Sequence, residues 1–98
     1  MTFNYIDHKE IVLALKAGDK KAFEFLYHRY WQKIYNFTRL YNTSSVEVEE
    51  VIQEVFVKLW EVRAFLDEDK NIEGLLFIIT RNLSLITHVV HSTKLSIG

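Results

Sequence analysis

The chain of 98 residues has no proline and no cysteine, and its glycines are Gly18, Gly74 and Gly98. Because proline and glycine are the residues that most often interrupt helices, their scarcity favours long helices. The lack of cysteine excludes disulfides and thiolate metal sites, and it fits a reducing cytoplasm. No apolar run approaches the roughly 20 residues that span a bilayer, and the start MTFNYIDHKE does not have the basic segment and apolar block of a secretion signal. We therefore expect a cytoplasmic, all-α protein outside the membrane.

The composition, with 49% hydrophobic and 26% charged residues, is that of a single globular domain. The net charge of −1 conceals an uneven distribution. Residues 8–42 carry seven Lys/Arg against three Asp/Glu, whereas residues 43–73 carry three Lys/Arg against nine Asp/Glu. This pattern excludes a uniformly basic nucleic-acid footprint, and the acidic centre suits a basic protein surface.

Helix-end signals divide the chain into four helices. Asp7 and Asp19 are placed to cap helices over residues 8–17 and 20–41, and Gly18 to end the first of them. Ser44 and Glu47 match a capping box that opens the third helix, and a loop over residues 64–71 precedes a fourth helix over 72–91. We expect residues 1–91 to form one compact bundle of about four helices, residues 92–98 to be a flexible tail, and no second domain to be present.

The third helix has two apolar features. Its inward stripe is complete, with Val48, Val51, Ile52, Val55, Phe56, Leu59 and Val62. Its opposite side presents Gln53, Val57 and Trp60, and these are edged by Glu49, Glu50, Glu54 and Glu61. Two explanations stay open. Either Trp60 folds over a neighbouring helix and Val57 is an ordinary exposed residue, or this side is a docking face for a basic partner helix.

In the fourth helix, three- and four-residue steps predict a core stripe of Ile72, Leu75, Ile79, Leu83, Ile86 and Val90. The same helical periodicity places an aromatic residue, Phe77, on the opposite, outer face. It lies there with Glu73, Thr80, Arg81, Ser84 and His88. An exposed aromatic beside arginine could stack on unpaired bases, or another helix could bury it. Asn82 falls within the apolar stripe, where its amide would fix local geometry.

Catalysis and metal binding have little support. No nucleophile motif, paired catalytic carboxylates or glycine-rich phosphate loop is present. His88 and His91 are close enough to share a metal, but neither has a cysteine or a carboxylate within a turn. We expect a protein that is not an enzyme and has no cofactor and no metal; a helical enzyme or metal protein using these histidines ranks last.

Three blocks, LALKAGDKKAFEFLYHRYWQKIYNF, VEEVIQEVFVKLWE and GLLFIITRNL, together resemble domain 2 of bacterial sigma factors of the extracytoplasmic-function group. The likeness covers Ile11 to about Leu85, in the family's order and with similar spacing. Its most specific features are GD-x-x-AF-x-x-LY, Q-E-VF-x-K-LW and LF-x-I-x-RN. The resemblance implies a domain that binds core RNA polymerase at the clamp coiled coil of the β′ subunit, and that recognises and melts the −10 promoter element as a single strand. It also allows an anti-sigma factor as a partner.

Carried over position by position, the resemblance implies two sets of site residues. The polymerase-binding set is Glu50, Gln53, Glu54, Val57 and Trp60. The DNA-binding set is Phe65, Lys70, Asn71, Phe77, Arg81, Asn82 and His88, and in the family the loop at 64–71 holds a flipped-out base.

The chain departs from the family after Asn82. Where the family continues with an aspartate and then basic residues along the DNA backbone, this chain reads SLITHVVHSTKLSIG. It also ends before the helix-turn-helix domain that reads the −35 element. The alternative interpretation is therefore a polymerase-docking interaction protein, or a truncated sigma fragment, that no longer reads promoters.

Overall fold

The computed structural model describes residues 7–41 and 44–97, and of residues 86–97 it describes the helix but not the side chains. Within these residues the helices are α1 (His8–Lys16), α2 (Lys20–Thr38), α3 (Ser45–Glu61) and α4 (Ile72–Ile97), and a 3₁₀ turn at Arg63–Phe65 follows α3. The described residues contain no strand. The predicted all-α bundle is therefore confirmed. None of the described helices is long and apolar enough to cross a membrane.

The predicted helix starts are correct for the first two helices. The Asp7 carboxylate accepts a hydrogen bond from Lys9 N, and the Asp19 carboxylate accepts from the backbone N–H groups that follow it in α2. Gly18 has φ 85°, the left-handed conformation that glycine adopts most readily at a helix end. Ser44 does occupy the N-cap of α3, but its side chain makes no cap hydrogen bond, so the predicted capping box is wrong in that respect.

Two helix ends differ from the sequence prediction. Helix α2 ends at Thr38, three residues before the predicted end, and Arg39–Tyr41 continue as a turn. Helix α4 extends to Ile97 rather than ending near residue 91, so residues 92–97 are helical. The reason is that neither proline nor glycine lies between Gly74 and Gly98 to end it.

The core lies where α2, α3 and α4 pack on one another, and α1 packs on α2 and on the 3₁₀ turn. Helix α3 buries the stripe predicted for it, namely Val48, Val51, Ile52, Val55, Phe56 and Leu59, with Val62 half-buried at its end. Helix α2 contributes Ala22, Leu26, Tyr30 and Ile34, and α1 contributes Ile11, Val12 and Leu15. Because α3 uses one side for this core, its other side is left facing outward.

The predicted core stripe of α4 is displaced by about one position. The line that is fully buried runs through Ile72, Leu76, Thr80 and Ser84, while Leu75, Ile79 and Leu83 are half-buried beside it. Thr80 can be buried because its hydroxyl donates to the Leu76 carbonyl oxygen at 2.7 Å, just as Thr38 in α2 donates to the Ile34 carbonyl oxygen at 2.6 Å. The prediction that Thr80 and Ser84 lie on the outer face was wrong. A pattern based only on apolar residues does not include buried hydroxyl side chains.

Candidate functional site

The outer face of α3 carries four exposed side chains of the predicted polymerase-binding set: Glu50, Gln53, Glu54 and Val57. Val57 is 55% exposed although it is apolar. Among the described residues, no ion pair involves the carboxylate of Glu50 or Glu54. We call these four residues the α3 face. It combines an apolar side chain, an amide and unpaired negative charge.

Trp60 lies at the edge of the α3 face and is half-buried. Its ring meets the ring of Phe23 in α2 edge to face, with centroids 5.4 Å apart, and the Arg63 guanidinium lies 4.1 Å from its ring centroid. Arg63 also donates a hydrogen bond to the Trp60 carbonyl oxygen at 2.8 Å. Trp60 does therefore fold over a neighbouring helix. It still lines a shallow depression with Val57, and Phe23 forms part of the same depression.

The loop from Leu66 to Asn71 is ordered by its own hydrogen bonds. Leu66 is buried and anchors its start, and Lys70 N donates to the Asp67 carbonyl oxygen at 3.1 Å. The Asp67 side chain accepts from Asp69 N at 2.9 Å, which is an Asx turn. The Asn71 side chain accepts from Glu73 N at 2.9 Å and so caps the start of α4. The loop thus has a defined shape, and it is preceded by Phe65, which is 87% exposed.

A cavity of about 440 Å³ opens beside this loop, and we call it the loop pocket. Its apolar wall is formed by Val12 of α1 and by Ile72, Leu75 and Ile78 of α4. Three members of the predicted DNA-binding set, Phe65, Lys70 and Asn71, also line it. The structure therefore brings these three together around an apolar concavity that carries few polar groups.

The remaining members of the predicted DNA-binding set lie farther along α4. Phe77 is half-buried, and its ring packs against that of Phe37 with centroids 4.9 Å apart, so it is not the free aromatic of an outer face. Asn82 is exposed rather than within the core stripe, and Arg81 is exposed as well. Asn82 follows Ile78 by one helical turn and so continues the side of α4 that faces the loop pocket. His88 lies outside the residues whose side chains are described.

The helix α1 approaches the loop closely. Lys16 Nζ lies 3.0 Å from Glu68 Oε2. The pKa of Glu68 is below its usual value because a backbone N–H bonds its carboxylate and, secondarily, because Lys16 pairs with it. The charged form of Glu68 is thus favoured in the folded protein.

Several residues of the loop pocket were not predicted from the sequence. Val12 lies in the predicted first helix, and Ile78 lies outside the predicted stripe of α4, but the sequence pattern gives neither residue a role at a surface. Ile78 is 59% exposed. An apolar residue outside the stripe was the signal that pointed to Val57, and the same signal at Ile78 would have found this wall of the pocket.

In the part of the chain whose side chains are described, no group of three histidine or acidic side chains is arranged so that it could hold a metal ion. His91, like His88, falls outside that part, and so do Ile86 and Val90 of the predicted stripe.

Comparison with known families decides what this arrangement belongs to. The family model described as Sigma-70 region 2 matches residues 26–88, which include most of α2, all of α3, the loop and the first part of α4. The chain belongs to the sigma-70 region 2 family. The resemblance inferred from the sequence is thereby confirmed. In sigma factors, region 2 binds core RNA polymerase and the −10 promoter element, and it is a transcription-factor domain rather than an enzyme.

A solved structure agrees with this assignment to region 2. The chain is similar to an engineered region 2 of sigmaE, determined by NMR in complex with GTAAAA, with a TM-score of 0.85 and 26% sequence identity. The match covers 96% of this chain and 98% of that one. A comparison with curated protein sequences gives no match. The structural match includes α1, which lies outside residues 26–88.

Proposed function

We propose that this region 2 domain docks on core RNA polymerase through the α3 face and receives a base of the single-stranded −10 element in the loop pocket. One observation carries the proposal: two separate exposed surfaces occur on one small domain, one acidic around an apolar side chain, the other apolar and concave. Each has the chemistry that one of the two partners of region 2 requires.

The α3 face suits a basic helical partner, and the β′ clamp coiled coil is the partner we assign to it. Negative charge around an exposed apolar residue gives electrostatic steering and an apolar contact at the same place. Gln53 and Glu50 are the principal contacts in this proposal, and Val57 supplies the apolar one. Trp60 braces the edge of the face, because its ring already packs on Phe23 and Arg63.

The loop pocket suits a base that has left the stack. In proteins that bind single-stranded nucleic acid, bases stack on aromatic side chains and occupy apolar surfaces, and cations nearby contact the phosphates. Phe65 offers an exposed ring, Asn71 an amide at the rim, and Lys70 a cation. Arg81 and Asn82 would meet the strand farther along α4, whereas Phe77 supports Phe37 and is not itself a stacking platform.

The polymerase contact is tested by measuring the affinity of core polymerase for charge and truncation variants. Glu50→Lys and Gln53→Ala are each expected to weaken binding by about fivefold or more, since exposed charges and interface truncations are worth around 1 kcal/mol. Glu10→Lys and Gln32→Ala are matched controls, because they make the same changes at exposed positions of α1 and α2. Unchanged affinity in both α3 variants would remove this face from the proposal.

The DNA contact is tested by NMR titration of ¹⁵N-labelled protein, which detects weak binding. The probes are GTAAAA, the sequence in the sigmaE complex, as a single strand, a randomised single-stranded hexanucleotide, and a duplex containing GTAAAA. We expect amides of residues 66–71 to shift with a single strand and less with the duplex. If neither single strand shifts these amides at millimolar concentration, the loop pocket does not bind DNA.

A second function has one specific observation in its favour. After Arg81 the only Lys or Arg is Lys94, so the chain carries little positive charge where the family follows the DNA backbone. Since each lost phosphate contact lowers affinity, such a chain could dock on polymerase without reading promoters. A transcription assay with core polymerase separates the two functions. Promoter-specific initiation supports the sigma function, and inhibition of transcription by another sigma factor supports a competitor.

A further inference from the structure

Helix α1 holds the loop at three points along its length. Lys16 Nζ lies 3.0 Å from Glu68 Oε2, and Lys9 Nζ lies 3.4 Å from Asp69 Oδ1. At the end of the loop, the Ile72 N–H donates a hydrogen bond to His8 Nε2 at 3.1 Å. The α1 side chains that make these three contacts lie outside residues 26–88, the part of the chain that the family model matches.

The same side of α1 forms part of the loop pocket. Val12 lies one turn after His8 and one turn before Lys16, so these residues share a helical face. Val12 is buried and lines the loop pocket, while Lys70 and Asn71 line it from the loop. The contacts that join α1 to the loop therefore also connect these two walls.

The ion pair between Lys16 and Glu68 is the shorter and less exposed of the two ion pairs that join α1 to the loop. Its side chains are 29% and 27% exposed, against 54% and 73% for Lys9 and Asp69. Water and salt screen a half-buried pair less than an exposed one. The loop is flanked by two buried residues, Leu66 at its start and Ile72 at the start of α4. Between them, Glu68 is the residue with the shortest side-chain contact to α1.

We propose that α1 sets the shape of the loop pocket, and that Lys16 and Glu68 are positioning residues for base recognition although neither touches the base. This inference rests on the proposed function of the loop pocket. In this proposal α1 contributes to base recognition without contacting DNA, because the Lys16–Glu68 ion pair holds the loop in place opposite Val12. Breaking the pair removes recognition of the base while phosphate contacts elsewhere on the strand persist.

The test compares the affinity of the protein for an intact single strand with its affinity for strands that lack one base. The probes are single-stranded GTAAAA and six derivatives, each with an abasic site at one position, titrated against the full chain by NMR. For the unmodified protein, one abasic position is expected to weaken binding by about tenfold, the usual value of one stacked base. In Lys16→Met and in Glu68→Gln, that difference is expected to fall to about twofold or less.

The two variants separate positioning from simple charge effects. Losing Lys16 removes a positive charge and would weaken binding to every strand alike, whereas losing the Glu68 charge would strengthen it. If the ion pair positions the pocket, Lys16→Met and Glu68→Gln should instead lose base discrimination to the same extent. Lys16→Arg keeps the pair and is expected to retain discrimination. Lys33→Met breaks an equally short ion pair, to Glu73 at 2.9 Å, and serves as the control that should not change it.

Each outcome has a distinct meaning. If the unmodified protein distinguishes one abasic position and both variants do so equally well, α1 does not position the pocket and this inference is wrong. If the unmodified protein binds none of the single strands, the proposed DNA function fails, and the inference that rests on it fails too. Helical content measured by circular dichroism identifies a variant that does not fold, and the other variant, together with Lys16→Arg, then decides the question.

Discussion

Phe65 and Phe56 show how differently one residue type is used in this domain. Phe56 is 2% exposed and contacts the rings of Phe23 and Tyr27, with centroids 6.3 and 4.8 Å away. Phe65 ends the 3₁₀ turn and is 87% exposed. A large aromatic side chain that remains in water gains nothing from burial, and at the rim of the loop pocket the Phe65 ring is available to the base proposed to bind there.

Replacing these two residues by alanine should therefore have opposite consequences. Phe56→Ala is expected to cost about 3–5 kcal/mol of unfolding free energy, the usual price of a large cavity in a core. Phe65→Ala is expected to change stability by less than about 0.5 kcal/mol and yet to weaken single-strand binding. Urea unfolding and NMR titration measure the two effects. A large loss of stability in Phe65→Ala would show that this ring packs on the protein.

Glu68 gives stability a defined pH dependence. Its folded-state pKa is lowered by the backbone hydrogen bond and by Lys16, so the charged carboxylate favours the folded state. That contribution is complete above the usual glutamate pKa of about 4.3, and it is lost as the pH falls through the lowered folded-state pKa. The difference in urea midpoint between the unmodified protein and Glu68→Gln should stay constant from about pH 7 to pH 5 and close below about pH 4. In a Lys16→Met background the difference over the range from about pH 5 to pH 7 should be smaller, because the contribution of the ion pair is absent.

At the scale of the helices, two N-caps occupy the same kind of position but differ in bonding. The Asp19 side chain accepts from Lys21 N at 2.8 Å and from Ala22 N at 3.4 Å, and so satisfies the start of α2. Ser44 has the extended conformation of an N-cap, yet its side chain makes no cap hydrogen bond to α3. The energetic value of a cap comes from that hydrogen bond, because the first N–H groups of a helix otherwise have no partner.

The two caps form a matched pair for mutation. Asp19→Ala is expected to destabilise the protein by about 1 kcal/mol, and Ser44→Ala by no more than a few tenths of that. Thermal or urea unfolding of the two variants under the same conditions provides the comparison. Equal losses would show that the Ser44 hydroxyl caps α3 in solution.

The helices also show which features the sequence could predict. The stripe of α3 was predicted correctly because its buried positions are all apolar, and the exposure of Val57 followed from its place outside that stripe; docking on that side stays a prediction. The stripe of α4 was misplaced because two of its buried positions are Thr80 and Ser84, whose hydroxyls look like surface groups in a pattern. Local periodicity could have pointed to the Ile78 wall of the loop pocket but not to the pocket as a whole, since its walls come from distant parts of the chain. The hydrogen bond from Ile72 to His8, for example, spans 64 residues of sequence.

At the scale of the whole molecule, the uneven charge distribution bears on both proposed binding functions. The acidic residues of α3 would repel a phosphate backbone, and so would the three carboxylates at residues 67–69 of the loop. Lys70 lines the loop pocket and Arg81 lies farther along α4, whereas Lys9 and Lys16 are already paired with loop carboxylates. A domain with this arrangement should bind polymerase strongly relative to DNA, and its base contacts should matter more than its phosphate contacts.

The salt dependence of single-strand binding measures that balance. With about two phosphate contacts, from Lys70 and Arg81, the logarithm of the affinity should fall with the logarithm of salt concentration at a slope of about −1.4. This corresponds to a loss of about sevenfold between 50 and 200 mM salt. Arg81→Ala should halve the slope to about −0.7, whereas Phe65→Ala should weaken binding at every salt concentration without changing it. NMR or fluorescence titrations at four salt concentrations provide the slopes. A slope of about −4 or steeper would require cations beyond these two, and would contradict the expected predominance of base contacts over phosphate contacts.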